Sequence, residues 1–387
     1  MKLSSSTAGS VGGADAFAGI FASPAASAFA TADAHLEYYL RIESAIATAG
    51  AASSVVATSS AEAVVAACLA GVVSPLDLQQ SLAEHATPIV GLVDKLRDAV
   101  PAEAREALHI GATSQDIVDT ANMLAARDVA ECIAADSLAV AQGLVIMARE
   151  FRSTPMIGRT LGQHALAITC GAWAALRLRA IGDAAAHLVD EVASCAVVQF
   201  GGPVGTSGAL TGAVARQLGL AVPPTSWHSS RGGVARIASA AAIVAGELGA
   251  LAADVITLTS SDIAEFGVAH PGGSSAMPHE RNPASAVNAA ACAHRVPGAA
   301  ATVLAMMPQS LQRDPARLLA EWGAFGEVMQ LTAATAHHAR LALEQVEVHA
   351  SVMSAAVELQ SARTGRDCAA DIAAAEAIVD RVIGAAP

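Results

Sequence analysis

Three short polar stretches carry the residue types that could do chemistry. The richest is Gly272-Gly273-Ser274-Ser275-Ala276-Met277-Pro278-His279-Glu280-Arg281-Asn282-Pro283. Adjacent glycines followed by two serines make a mobile loop of small residues, and Pro283 opens a helix where proline is tolerated. A serine in such a loop can have its alkoxide stabilised by loop amides and by the helix end. The second stretch runs from His109 through Gly111, Thr113, Ser114, Gln115 and Asp116 to Asp119. Thr113 or Ser114 can cap the following helix, whose free N–H groups suit a carboxylate. A plain N-cap explains the same residues. The third stretch, Thr154 to Gln163, offers Arg159 and Thr160 just before a helix. Arg159 could clamp a carboxylate with two parallel bonds, and an ordinary surface arginine fits as well.

The elements that must position these stretches read as helices of unusual length. Ala, Leu, Glu and Arg dominate, β-branched alternation is scarce, and no period-2 strand is expected. Ile117 to Phe151 contains no proline and only Gly143. Ala165 to Ser194 and Val234 to Asp262 also contain no proline. A fourth helix runs from Pro283 towards Met307 through Pro297, which should kink it. A fifth runs from Pro315 to about Val348. Helices of ~30 residues reach about 45 Å and suggest a long bundle. Val234 to Asp262 carries only Arg236, Glu247, Asp254 and Asp262 as charges. A helix so apolar is buried on most sides, which implies neighbouring chains and a symmetric, even-numbered homo-oligomer.

Composition narrows the function classes. The chain has 387 residues, 22 Lys+Arg against 35 Asp+Glu (net −13), 53% hydrophobic and 15% charged residues. That much apolar material can form a large core, and disorder is excluded. The acidic balance argues against nucleic acid and against an anionic membrane surface as partners. It leaves room for a locally cationic pocket. The longest charge-free run, Val192 to Ala215, is broken by Gly201, Gly202, Pro203, Gly205, Gly208 and Gly212. Such a backbone is a loop, not a membrane span. Residues 1–14 are Ser/Gly/Ala-rich and expected to fray, and no apolar h-region follows Lys2 directly. Six scattered cysteines without a CxxC pair indicate no structural zinc and fit a reducing cytoplasm.

The string Gly273-Ser274-Ser275-Ala276-Met277-Pro278-His279-Glu280-Arg281-Asn282-Pro283 resembles the fumarase/aspartase superfamily signature, which normally reads GSSxMPxKxNP. His109 to Thr120 resembles that superfamily's HxGATSQDxxDT segment. The resemblance narrows to the 3-carboxy-cis,cis-muconate cycloisomerase family. Gly158-Arg159-Thr160-Leu161-Gly162-Gln163 is close to its GRTLLQ, and Trp227-His228-Ser229-Ser230-Arg231 to its WHTxR. Gln199 to Leu210 and Glu321-Trp322 fit its GGxxGT loop and late EW pair. The likeness covers roughly residues 15 to 350.

The resemblance implies an all-α protein built on a long central helical bundle. A small N-terminal helical domain would span 1–110, the bundle 111–350, and a shortened C-terminal helical segment 351–387. It implies a homotetramer whose active sites collect the three stretches from different subunits, and no metal or organic cofactor. The implied reaction adds a muconate carboxylate across a double bond and delivers a proton to the carbon α to a carboxylate. Ser274 would exchange that proton, with Ser275 beside it. His109, Thr113, Ser114, Arg159, Thr160, Gln163, His228, Arg231, Met277, His279, Arg281 and Asn282 would hold a small polycarboxylate substrate.

Two departures bear on substrate. Leu161 stands where the lyases releasing ammonia, fumarate or purines usually carry His, which favours the cycloisomerase branch. Glu280 replaces the signature Lys and changes the local charge by two units. At about 6 Å and an effective dielectric near 20, each unit is worth roughly 3 kcal/mol beside a polyanion, unless Glu280 turns away and pairs with Arg281. A sister lyase acting on a less anionic substrate, and a catalytically silent helical scaffold, are the competing readings.

Overall fold

The computed structural model describes residues 18–27 and 31–384, so the stretch 1–14 lies outside the described residues. A short α1 (Pro24–Ser27) precedes an N-terminal group of helices, α2 (Ala32–Ala52), α3 (Thr58–Leu69), α4 (Pro75–His85) and α5 (Ile89–Ala99). The long α6 (Ser114–Glu150) leads into a hairpin of β1 (Pro155–Thr160) and β2 (Gln163–Thr169). Then follow α7 (Cys170–Cys195), α8 (Thr211–Leu218), α9 (Gly232–Leu258), β3 (Phe266–Val268), α10 (Ala284–Met306) and α11 (Pro315–Glu344). The chain closes with β4 (Val346–Val348), α12 (Ala350–Thr364) and α13 (Ala369–Gly384). The fold is an all-helical bundle with two small antiparallel strand pairs.

Local chemistry explains the helix starts. Ser74 and Asp77 form a reciprocal cap on α4, with Pro75 in the first turn. Asp314 accepts the Arg317 N–H at the head of α11, again followed by a proline. α6 starts at Thr113, whose own N–H is taken by the Asp116 carboxylate at 3.0 Å.

Five long helices, α6, α7, α9, α10 and α11, share one apolar core. α9 sits among α7, α10 and α11, and Ile237, Val244 and Leu248 are fully buried there. Each such side chain contributes about 1.5–3 kcal/mol on removal from water. Buried alanines let the helix axes approach closely. At Gly249 the approach leaves no room at all, since a Cβ would stand 2.6 Å from the Ala293 Cβ on α10. α6 and α9 have the length and apolarity of membrane spans, yet here both are bundle helices. A second core joins α2, α3 and α5 to the first turns of α6 and to α8.

The strands correct one expectation. Arg159, Thr160 and Gln163 do not lie in a loop ahead of a helix beginning at Ala165. They lie on the β1–β2 hairpin, and α7 begins only at Cys170. Thr160 pairs with Gln163 across a two-residue turn in which Leu161 (φ 51°) and Gly162 (φ 74°) are both left-handed. That turn type matches the strand twist and accommodates glycine well.

Candidate active site

One end of the bundle is organised by two aspartates of α6. Asp116 is buried and accepts the Gly201 and Gly202 N–H groups at 3.0 and 2.9 Å, and faces His228 Nε2 at 2.7 Å. His228 Nδ1 lies 3.1 Å from the Ser226 hydroxyl. Thr120 bonds both the N–H and the carbonyl of Gln199 at 2.9 Å. The glycine-rich loop after α7 is thus fastened to the start of α6.

One turn further along, Asp119 takes two bonds from Arg231, at 2.8 and 2.9 Å. The same guanidinium reaches Glu321 through Nε at 2.9 Å and through Nη2. Gln115 and the Trp322 indole also donate to Asp119, at 3.0 and 2.9 Å. Arg231 lies over the Trp227 ring. Burial pushes the Glu321 carboxyl above its usual range, against the lowering pull of Arg231. This cluster locks together the N-terminal ends of α6, α9 and α11.

The opposite end carries the hairpin and the serine loop. Arg159 makes a two-pronged pair with buried Glu265, at 3.0 and 2.7 Å. Gly272 and Asn282 close the serine loop at its base, the Gly272 N–H donating to the Asn282 carbonyl at 2.8 Å. The Ser274 hydroxyl accepts the Met277 N–H at 3.1 Å. Ser274 is half-buried, and Ser275, Met277, His279 and Glu280 are exposed. Arg281 donates to the Val268 carbonyl at 2.6 Å, tying the loop to β3. A cavity of about 740 Å³ opens between His279, Glu280, Arg281, Asn282 and the Glu347–His349 segment.

The predicted residues therefore fall into two groups. His109, Thr113, Ser114, His228 and Arg231 stand where α6 and α9 begin. Arg159, Thr160, Gln163, Ser274, Ser275, Met277, His279, Arg281 and Asn282 stand beyond the C-terminal ends of those helices. The rise of the 27-residue α9 alone separates the two groups by about 40 Å.

Three predicted substrate ligands have their ring or guanidinium set against buried carboxylates. Arg231 is 2% exposed and already paired with two carboxylates, Asp119 and Glu321. His228 is buried between Asp116 and Ser226. Arg159 keeps some exposure, but its charge is matched by Glu265. Nor does Glu280 pair with Arg281. It receives only the Asn282 side-chain amide, at 3.3 Å, among the described residues. Two residues escaped the motif reading. Arg313, exposed ahead of α11, donates to the Thr113 hydroxyl at 2.8 Å, and buried Glu43 holds His109. Arg313 stands alone beside Asp314-Pro315, and its link to Thr113 spans 200 residues.

The long-helix bundle thus carries a Ser-Ser loop at one end and a capped helix start with paired aspartates at the other. A family model described as Lyase matches residues 10–298. A 3-carboxy-cis,cis-muconate cycloisomerase of Pseudomonas aeruginosa is 36% identical over 331 residues, covering 82% of this chain and 72% of its own length. A nitrosuccinate lyase of Streptomyces davaonensis is 35% identical over 347 residues, covering 84% of this chain and 73% of its own. The crystal structure of the 3-carboxy-cis,cis-muconate lactonizing enzyme from Pseudomonas putida matches with a TM-score of 0.83 at 32% identity, over 89% of this chain and 80% of that one. The chain belongs to the fumarase/aspartase superfamily, as an enzyme of the 3-carboxy-cis,cis-muconate cycloisomerase type.

Replacing Arg231 by Met leaves Asp119 and Glu321 buried without their cation. The expected cost is about 3–5 kcal/mol, read as a lower urea midpoint. An unchanged midpoint would show that the cluster is not held by its charges.

Proposed function

We propose that the protein closes 3-carboxy-cis,cis-muconate to 4-carboxymuconolactone, with Ser274 exchanging the proton. The observation that carries this reading is the serine loop. It is closed at its base by Gly272 and Asn282, and one backbone N–H already points at the Ser274 oxygen. Oxygen of one substrate carboxylate bonds to a carbon of the double bond. The displaced π pair takes the proton from Ser274, and the serine is reprotonated from water. One negative charge of the substrate is lost as the ester forms and one proton is consumed.

Positioning falls to groups at both ends of the bundle. Arg313 and Thr113, with His109, offer donors at the α6 start, while Arg281 and Asn282 offer them at the serine loop. A single chain holds these halves about 40 Å apart. We propose a homotetramer in which each site combines the α6 end of one subunit with the serine-loop and hairpin ends of others. Exposed Leu138, Ile146, Leu176 and Ile243 on the bundle helices support burial by further chains.

A second reading, a lyase acting on a dicarboxylate, is favoured by Glu280. It forms no ion pair among the described residues, and it lies on the loop that must meet the substrate anion. Each unit of charge there is worth roughly 3 kcal/mol at about 6 Å.

Loss of diene absorbance from 3-carboxy-cis,cis-muconate tests the first reading. Turnover is expected, and Ser274→Ala should lower it by at least about 10²-fold, the usual share of a proton-exchanging group. An unaffected Ser274→Ala rate would remove the serine from the chemistry. Glu280→Lys separates the two readings. A small change in KM fits the tricarboxylate, whereas a gain of several orders of magnitude marks a native protein adapted to a less anionic substrate.

A further inference from the structure

Glu43 lies on the most buried face of α2, with Ile42, Ala45, Ile46 and Ala47 around it in sequence, and it is 0% exposed. An isolated carboxylate there costs several kcal/mol unless it is paired. Both of its oxygens go to one residue, 66 positions away. Oε2 accepts the His109 backbone N–H at 3.1 Å, and Oε1 lies 2.6 Å from His109 Nδ1. His109 is held at φ 55°, a left-handed conformation that costs a non-glycine residue roughly 1–2 kcal/mol. The two bonds fix both that backbone and the ring orientation. Nε2 has no partner among the described residues, and the His109 side chain keeps 20% exposure.

We infer that Glu43 is a positioning residue of the active site, holding His109 as an imidazolium whose Nε2–H is left free for a substrate carboxylate. The inference rests on the proposed role of the α6 end as one half of the site. The surrounding charges agree with it. Burial disfavours the charged ring, but the attraction and hydrogen bond of Glu43 outweigh it and raise His109 above its ordinary value. Asp116 on α6 adds to this effect and Arg97 on α5 opposes it. Cys68, on α3 near Glu43, is pushed up to about 11 and stays uncharged. Because the folded value is raised, the pair's contribution to stability is complete below the unfolded value of about 6.5. It is lost as pH rises through the folded value. Anion binding at this end should weaken across the same window.

Diethyl pyrocarbonate acylates only neutral imidazole, so the pH dependence of His109 modification in the full-length protein, mapped by peptide mass spectrometry, reads its charge directly. Wild-type His109 should become reactive only above the ordinary histidine range. In Glu43→Gln the midpoint should fall to the ordinary value or below, and in Glu43→Asp part-way. Tricarballylate, a plain tricarboxylate, should protect His109 in the wild type and protect it about tenfold less in Glu43→Gln. Identical profiles in wild type and variants, or equal protection, would overturn the inference. Should Glu43→Gln fail to fold, an unchanged Glu43→Asp profile would overturn it equally. Both readouts are independent of turnover, so a wild type inert towards carboxymuconate would count against the proposed reaction alone.

Discussion

An α-helix advances about 1.5 Å per residue, and nothing in a packed bundle can shorten it. α6 has 37 residues and α9 has 27, so polar groups at their two ends are held tens of ångströms apart. The bundle interior between them is alanine, valine and leucine at close approach, with no place for a charged substrate. Chemistry is therefore confined to the ends. Each end is tied by its own polar device, the Asp119–Arg231–Glu321 cluster at one and the Arg159–Glu265 pair at the other.

These devices change the electrostatic picture of the site. A tricarboxylate needs several cations, and the motifs offer three arginines and three histidines in plain view. Folding uses much of that charge internally. Arg231 and His228 are buried against carboxylates, and Arg159 is matched by Glu265. Arg281, His279, Arg313 and His109 are not buried against carboxylates in this way, although His109 has Glu43 behind it. Beside this smaller positive supply, Glu280 adds a negative charge to the serine loop.

Most of the fold was legible in the residues themselves. The long runs of Ala, Leu, Glu and Arg without proline mark α6, α9 and α11 to within a few positions, because helix propensity and burial agree there. The hairpin was not legible. Its strands are short, six and seven residues, and a bulge at Gly158 breaks their register, so no clean alternation survives. The serine loop was readable because adjacent glycines and serines before a helix serve no packing purpose. The structural role of Arg231 was not, since its carboxylate partners lie 112 and 90 positions away. Glu43 and Arg313 were missed for the same reason. Each acts through one long-range contact that leaves no local pattern.

In the proposed tetramer, one active site joins opposite ends of different chains. The most direct measurement mixes two inactive variants, one altered at the α6 end (His109→Ala) and one at the serine loop (Ser274→Ala), and reassembles them into hybrid oligomers. Turnover of carboxymuconate is expected to return in the mixture, since some sites then combine two unaltered halves. A mixture as inactive as either parent, shown to have exchanged subunits, would contradict it.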